Sequence, residues 1–298
     1  MDCTNKCTAV SKFIIMKIVD TKKLLQAARV GQYAVPAINA DNVDSLLGIF
    51  NSCSQWNAPV IIQLSPIQVY SRKIDYQTMV NVIKTVGANY PVTAAIHLDH
   101  GTKVEDVKKA VISGFTSVMY DGSACDYQTN IKNTQVLRTF CKELSLEGEL
   151  GVIGGEEGSS AKEGTKEIYT NVKEAIEYVK KTNVDFLAVA IGNAHGVYRE
   201  SPKLNFQRLK ELMEALTIPL VLHGASGLSE TDLSHAIKLG VSKINFFTEI
   251  DHAFLNGIQE KLKQNPNDYT FQCMPQGTKY VKERMDRIIH ICGCEGKA

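Results

Sequence analysis

No stretch of this chain approaches the roughly 18 consecutive apolar residues that a membrane-spanning helix needs. The most apolar run near its start, Phe13 to Met16, lies between Lys12 and Lys17 and is too short for the core of a secretory signal. Neither a membrane protein nor an exported one is expected. Charge of one sign is equally scarce, since 33 Lys+Arg against 32 Asp+Glu leave +1. So balanced a surface has no field with which to gather nucleic acid or anionic lipid, and the expected partner is a small molecule. Eight cysteines in 298 residues fall far below disulfide-scaffold density. Cys53, Cys125 and Cys141 stand singly, which suits a reducing, cytoplasmic setting. The terminal pairs Cys3/Cys7 and Cys292/Cys294 lack the Cys-x2-Cys spacing that lets two thiolates share a zinc ion. Dinucleotide and Walker fingerprints are missing too, although Gly151, Gly154, Gly155, Gly158 and Gly164 crowd one segment among acids and serines. That segment, 151 to 165, has the composition of a lid.

What is present is alternation. Short apolar runs at 34–38, 60–64, 92–96, 117–120, 146–150, 186–190, 220–222 and 243–246 read as strands covered on both faces. Segments with apolar residues three and four apart lie between them, as at 104–112, 172–180, 206–216 and 233–239. Ser229 followed by Asp232 reads as a helix start, and Gly114 and Gly240 as helix stops. Eight βα units without a linker predict an α/β fold, a single (β/α)8 TIM barrel over residues 16–298. Residues 1–15 read as a loose N-terminal extension with Met16 as an alternative start, 265–276 as a plain connection, and Thr278 to Ile291 as a closing C-terminal helix.

A barrel of this kind carries its active site where the strands end. The residues there are Asn39, Ser65, His97-Leu98-Asp99-His100-Gly101, Asp121, Glu149, Gly192 to Gly196, His223 to Gly227, Asn245 and Thr248. His100, His195 and His223 terminate three different strands, so three imidazoles can converge. A hydrogen-bonded buried histidine would explain any one of them. The repeated placement favours a catalytic metal site, with three protein ligands and one open position. His97 shares the Asp99 face of its strand, opposite Leu98, and reads as structural, while His235, His252 and His290 fall on surface helices. Asp99 is the best placed carboxylate to move a proton beside the metal. Gly196, Gly224, Ser226, Gly227, Asn245 and Thr248 supply a nest suited to a phosphate.

These motifs resemble the class II, metal-dependent ketose-bisphosphate aldolases, from about Ile18 to Cys292-Gly293. The specific pieces are His97-Leu98-Asp99-His100-Gly101, Gly148-Glu149-Leu150-Gly151 leading to Glu156-Glu157, Gly192-Asn193-Ala194-His195-Gly196-Val197-Tyr198, and Val221-Leu222-His223-Gly224-Ala225-Ser226-Gly227. The resemblance implies Zn2+ on His100, His195 and His223, and a monovalent cation nearby. It also implies Asp99 as the acid/base at the C4 oxygen, and a second or displaced metal position at Asp121 and Glu149. Glu157, or its neighbour Glu156, matches the acid that exchanges the C3 proton. A dihydroxyacetone-phosphate site is implied at Gly196, Gly224, Ala225, Ser226, Asn245, Phe246, Phe247 and Thr248, with Arg199 where Lys is common and Asn39 and Ser65 completing the substrate contacts. A homodimer or homotetramer is expected on the same ground.

One run departs from the family pattern. In Asn245-Phe246-Phe247-Thr248-Glu249-Ile250-Asp251, Phe247 replaces a carboxylate and Asp251 a cation expected to help hold a distal phosphate. Asp251 is expected to repel a second phosphate there, which argues against fructose-1,6-bisphosphate as the substrate. Rival readings are a metal-dependent hydrolase on the same barrel and a catalytically silent phosphosugar-binding protein. A Schiff-base aldolase would need a lysine at a strand exit, and Lys243 stands at an entrance.

Overall fold

Eight parallel strands pair into a closed ring in the computed structural model, which describes residues 15–40, 42–151, 153, 169–196 and 202–298. A short strand β1 (Lys17–Ile18) precedes the ring, which comprises β2 (Val35–Asn39), β3 (Val60–Leu64), β4 (Thr93–Gly101), β5 (Ser117–Tyr120), β6 (Ser145–Leu150), β7 (Phe186–Val189), β8 (Leu220–Leu222) and β9 (Val241–Phe246). Around it run α1 (Thr21–Gly31), α2 (Val43–Trp56), α3 (Pro66–Tyr70), α4 (Tyr76–Gly87), α5 (Val104–Ile112), α6 (Tyr127–Phe140), α7 (Val172–Thr182), α8 (Phe206–Ala215), α9 (Glu230–Lys238), α10 (Thr248–Gln264) and α11 (Thr270–Cys292). The predicted TIM barrel is thus the fold. The expected extension, 1–15, lies almost wholly outside the described residues.

Local chemistry explains the element boundaries. Asp20, Asn42, Asp75, Asp126, Asn171, Asn205 and Ser229 each accept from a first-turn backbone N–H of the following helix. A cap of this kind contributes about 1 kcal/mol. Gly114 and Gly240 adopt positive φ where α5 and α9 turn back toward strands. The strand runs bury their residues on both faces, as helices outside and packed side chains inside require.

Two elements differ from expectation. β1 pairs with Thr93 and Ala94 of β4, on the edge that β5 takes up only from His97 onward. Its two residues fill a stretch of ladder that would otherwise lack partners. The connection expected over 265–276 is shorter, because α11 begins at Thr270 with Pro275 inside it. A helix tolerates that proline here because close packing holds the turn in place: Gly277 leaves space that Phe254 fills, and Gly257 abuts the Gln276 carbonyl. Among the described residues no helix is long and apolar enough to cross a membrane.

Candidate metal centre and substrate cavity

In a regular strand Asp99 and His100 would point to opposite faces. The β4–β5 register shifts between Leu98 and Gly101, and His100 takes a left-handed conformation with φ 47°. This irregularity re-aims the chain, so both side chains reach the carboxyl mouth of the barrel. Gly101 follows because a Cβ there would lie 2.7 Å from the Met119 carbonyl oxygen.

His100 meets His195 and His223 at ring-centroid separations of 4.7 Å each, and one ligand atom from each of the three lies within 4.8 Å of the others. All three are buried. The carboxylates around them settle the tautomers. Ionised carboxylates only accept, so His100 donates Nδ1–H to Asp121 at 3.0 Å, and His223 donates Nε2–H to Glu147 at 2.9 Å. The remaining nitrogens, His100 Nε2 and His223 Nδ1, face each other at 3.0 Å. Two lone pairs so placed need a cation between them, either a proton or a metal ion. Tetrahedral ligand nitrogens on one zinc stand roughly 3.3 Å apart, close to the spacing found. Glu149 points the same way, because among the described residues neither oxygen of this buried carboxylate has a hydrogen-bond partner. It also forms a second set of candidate ligand atoms with His100 and Asp121.

The electrostatics fit a cation site. Burial and the nearby Asp121 push the Glu149 carboxyl well up from its ordinary range. Burial alone would lower His100, but Asp99 and Asp121 outweigh it and raise it to about 10. His223 is driven down to about 4, chiefly by burial. Among the described residues Asp99, Asp121, Glu147 and Glu149 are buried here against one buried ammonium, Lys243.

Glu147 was not legible as a site residue in the sequence, although its place two residues before Glu149 puts both on one strand face. It lies 2.8 Å from Lys243 Nζ and 3.3 Å from His97 Nε2. Burial would raise this carboxyl, but Lys243, His223 and His97 hold it well below the usual range. Ser117 ties the other side of His97 at 2.8 Å, so His97 braces the interior beneath the three histidines. A carboxylate on the far nitrogen of a ligating histidine fixes its ring and raises its basicity. Replacing Lys243 with methionine strands an ionised Glu147 in the barrel. It is expected to lower the unfolding free energy by about 3–5 kcal/mol, read from urea midpoints. A loss below about 1 kcal/mol would show that the imidazoles alone sustain that charge.

Asp99 is held by amides. Oδ1 accepts from Asn245 Nδ2 at 3.0 Å, and Oδ2 from Asn39 Nδ2 at 3.1 Å and Gln63 Nε2 at 3.2 Å. Two neighbouring cavities share it in their lining. One is lined by Asn39, Asp99, His100, His195, Gly196, Gly224, Ser226, Asn245, Phe247 and Thr248. Here Gly224 has φ 63° and a Cβ would lie 2.1 Å from the Ala194 carbonyl oxygen, whereas Gly196 at φ 81° leaves open space. The other, of about 180 Å³, adds Ser65, Ile67, Gln68, Ser71 and Arg72 to Asn39, Asp99, His100 and Phe247. Phe246 and Ala225 are buried and line neither; alternation along β9 turns Phe246 away from the face that carries Asn245. Asp251, expected to repel a distal phosphate, is absent from the lining of both cavities, whereas Phe247 lines both. Glu156, Glu157 and Arg199 lie outside the described residues. A larger cleft of about 590 Å³ at the opposite mouth includes Lys22, Arg138 and Asp185. Asp185 there pairs with both Lys22, at 2.9 Å, and Arg138, at 2.6 Å.

A parallel barrel whose carboxyl mouth gathers three histidines, buried carboxylates and a glycine-lined cavity has the architecture of metal-dependent barrel enzymes. The chain belongs to the class II fructose-bisphosphate aldolase family, whose model, described as "Fructose-bisphosphate aldolase class-II", matches residues 19–297. It is an aldehyde-lyase of that family. The YdjI aldolase from Escherichia coli K12 is similar over 94% of this chain and 99% of that one, at 32% identity and a TM-score of 0.83. The fructose-bisphosphate aldolase from Campylobacter jejuni covers 98% of this chain and 100% of its own, at 21% identity and a TM-score of 0.81, a likeness of fold.

Proposed function

We propose that this chain is a zinc-dependent aldolase that reversibly cleaves a ketose 1-phosphate or 1,6-bisphosphate to dihydroxyacetone phosphate and an aldehyde. The observation that supports it most is the pair of imidazole lone pairs facing each other beside Asp99. His100, His195 and His223 would hold the ion, with Asp121 and Glu147 orienting two of them. A bound divalent ion supplies Lewis acidity at the ketone oxygen, lowering the energy of the negative charge left when the C3–C4 bond breaks.

The protein does the rest. Asp99 takes the proton of the C4 hydroxyl in cleavage and returns it in condensation, while three amide donors fix its carboxylate beside the two cavities. Gly196, Gly224, Ser226 and Thr248 cradle the phosphate of the dihydroxyacetone half, with backbone N–H groups that glycine leaves accessible. Asn39 and Ser65 face the aldehyde half. Glu157 in the glycine-rich segment exchanges the C3 proton, with Arg199 near the phosphate.

The test is dihydroxyacetone phosphate in deuterated water with the zinc-loaded protein, followed by a panel of aldehydes. Exchange at C3 and condensation that a chelator abolishes, without borohydride trapping, are expected. Exchange that survives chelation, or a borohydride-trapped adduct, defeats the reading.

A further inference from the structure

Two strand exits line the cavity assigned above to the phosphate: Gly224 and Ser226 follow β8, and Asn245, Phe247 and Thr248 lie at the end of β9. Thr248 opens α10, and the next residue, Glu249, is an acid in its first turn. A helix N-terminus attracts anions, so the Glu249 carboxylate competes there with a phosphate. Its side chain is only 13% exposed, and a charge so withdrawn from water is screened less than a surface charge. The Cα atoms of neighbouring residues stand about 3.8 Å apart. An unbalanced carboxylate at Glu249 would therefore act on any dianion seated against Thr248.

The balance comes from α11. Arg284 on that helix forms an ion pair with Glu249, which joins α11 to the start of α10 and cancels the charge beside the phosphate cavity. Burial pushes the Glu249 carboxyl up, while Arg284 and Arg287 oppose that push. Three residues along α11, Arg287 pairs with Glu230 in the first turn of α9. That second pair is exposed on both sides, at 63% and 57%, where solvent leaves an ion pair little effect. The aldolase chemistry itself uses neither pair.

We propose that Arg284 is a positioning residue for the substrate phosphate: by neutralising Glu249 it lets the start of α10 accept a dianion. The proposal rests on the aldolase reading above, which seats a phosphate beside Thr248. Its test is proton exchange by the zinc-loaded protein at pH 8, with KM and kcat read for dihydroxyacetone phosphate and for uncharged dihydroxyacetone. Arg284→Met strands a weakly screened carboxylate and is expected to raise KM for the phosphate ester by about tenfold or more. Its kcat should stay within about threefold and its KM for dihydroxyacetone within about twofold, with partial recovery of the phosphate-ester KM in Arg284→Lys. Loosened packing alone would impair both ketones alike. Adding Glu249→Gln to Arg284→Met removes the stranded anion and is expected to return the phosphate-ester KM to within about threefold of the wild type. Arg287→Leu, which breaks the exposed pair, is expected to leave that KM within about threefold as well. Glu249→Gln alone keeps Arg284 and should hold or lower the same KM, so it reads the proposal even where Arg284→Met fails to fold. Four results overturn the proposal: a phosphate-ester KM untouched by Arg284→Met, an equal rise for both ketones, a double variant as poor as the single one, or a tenfold rise in Glu249→Gln. A rise in Arg287→Leu matching that of Arg284→Met does the same. Absence of exchange in the wild type sinks the aldolase reading and this proposal together, whereas exchange whose KM ignores these variants sinks the proposal alone.

Discussion

Replacing Asp99 by asparagine is expected to lower kcat for aldol cleavage by about 10²–10⁴-fold, the range for removing a positioned general base. The change is nearly isosteric, so substrate binding should move far less than turnover. Burial would raise this carboxyl, but His100, His223 and Lys243 outweigh it and lower it to about 2. Asp99 is therefore ionised throughout the neutral range, and no limb of the kcat profile above about pH 4 should belong to it. The same depression has a consequence for stability. The folded value lies below the unfolded one of about 3.9, so the contribution of Asp99 is fully present above that pH. It is lost as pH falls toward 2. Urea titrations between pH 5 and 2 should show the wild type losing stability in this window and Asp99→Asn losing less of it. A kcat within threefold of wild type would remove Asp99 from the proton-transfer role.

Loss of one imidazole of the trio is expected to weaken zinc binding by more than about a hundredfold, beyond the 10–100-fold typical of losing a group that only orients a ligand. His100→Ala and His223→Ala both test this by competition against a chromophoric chelator. His100 occupies left-handed backbone, which alanine adopts at a cost of roughly 1–2 kcal/mol. His223 does not, so its variant separates ligand loss from backbone strain. A second readout is the stabilisation that zinc confers on folding, about 2.7 kcal/mol at a hundred times Kd. It should vanish in both variants under conditions where the wild type shows it. Zinc affinity like that of the wild type in either variant would mean that the ion sits elsewhere.

The barrel was legible in the residues because its signals are local. Continuous apolar runs mark strands covered on both sides, and Ser229 and Gly240 mark a helix start and stop by their own backbone chemistry. Three histidines and an aspartate at strand ends were legible for the same reason, since a parallel barrel sends every strand exit to one rim. Glu249 and Arg284 gave no such sign. They sit on two different helices, and their importance lies in the ion pair between them. Glu147 could have been suspected from its alternation with Glu149, but its partners come from three other strands.

Composition and periodicity thus determined the class of fold, the rim that holds the chemistry and the kinds of side chain gathered there. Tertiary structure alone decided three further matters: that an irregularity in β4 turns both Asp99 and His100 inward, that Glu147 and Asp121 choose which imidazole nitrogens face each other, and that Pro275 lies inside a helix. Each depends on groups distant in the chain meeting at hydrogen-bond or packing distance. No local pattern encodes such a meeting, because its energy exists only once the ring of strands has closed.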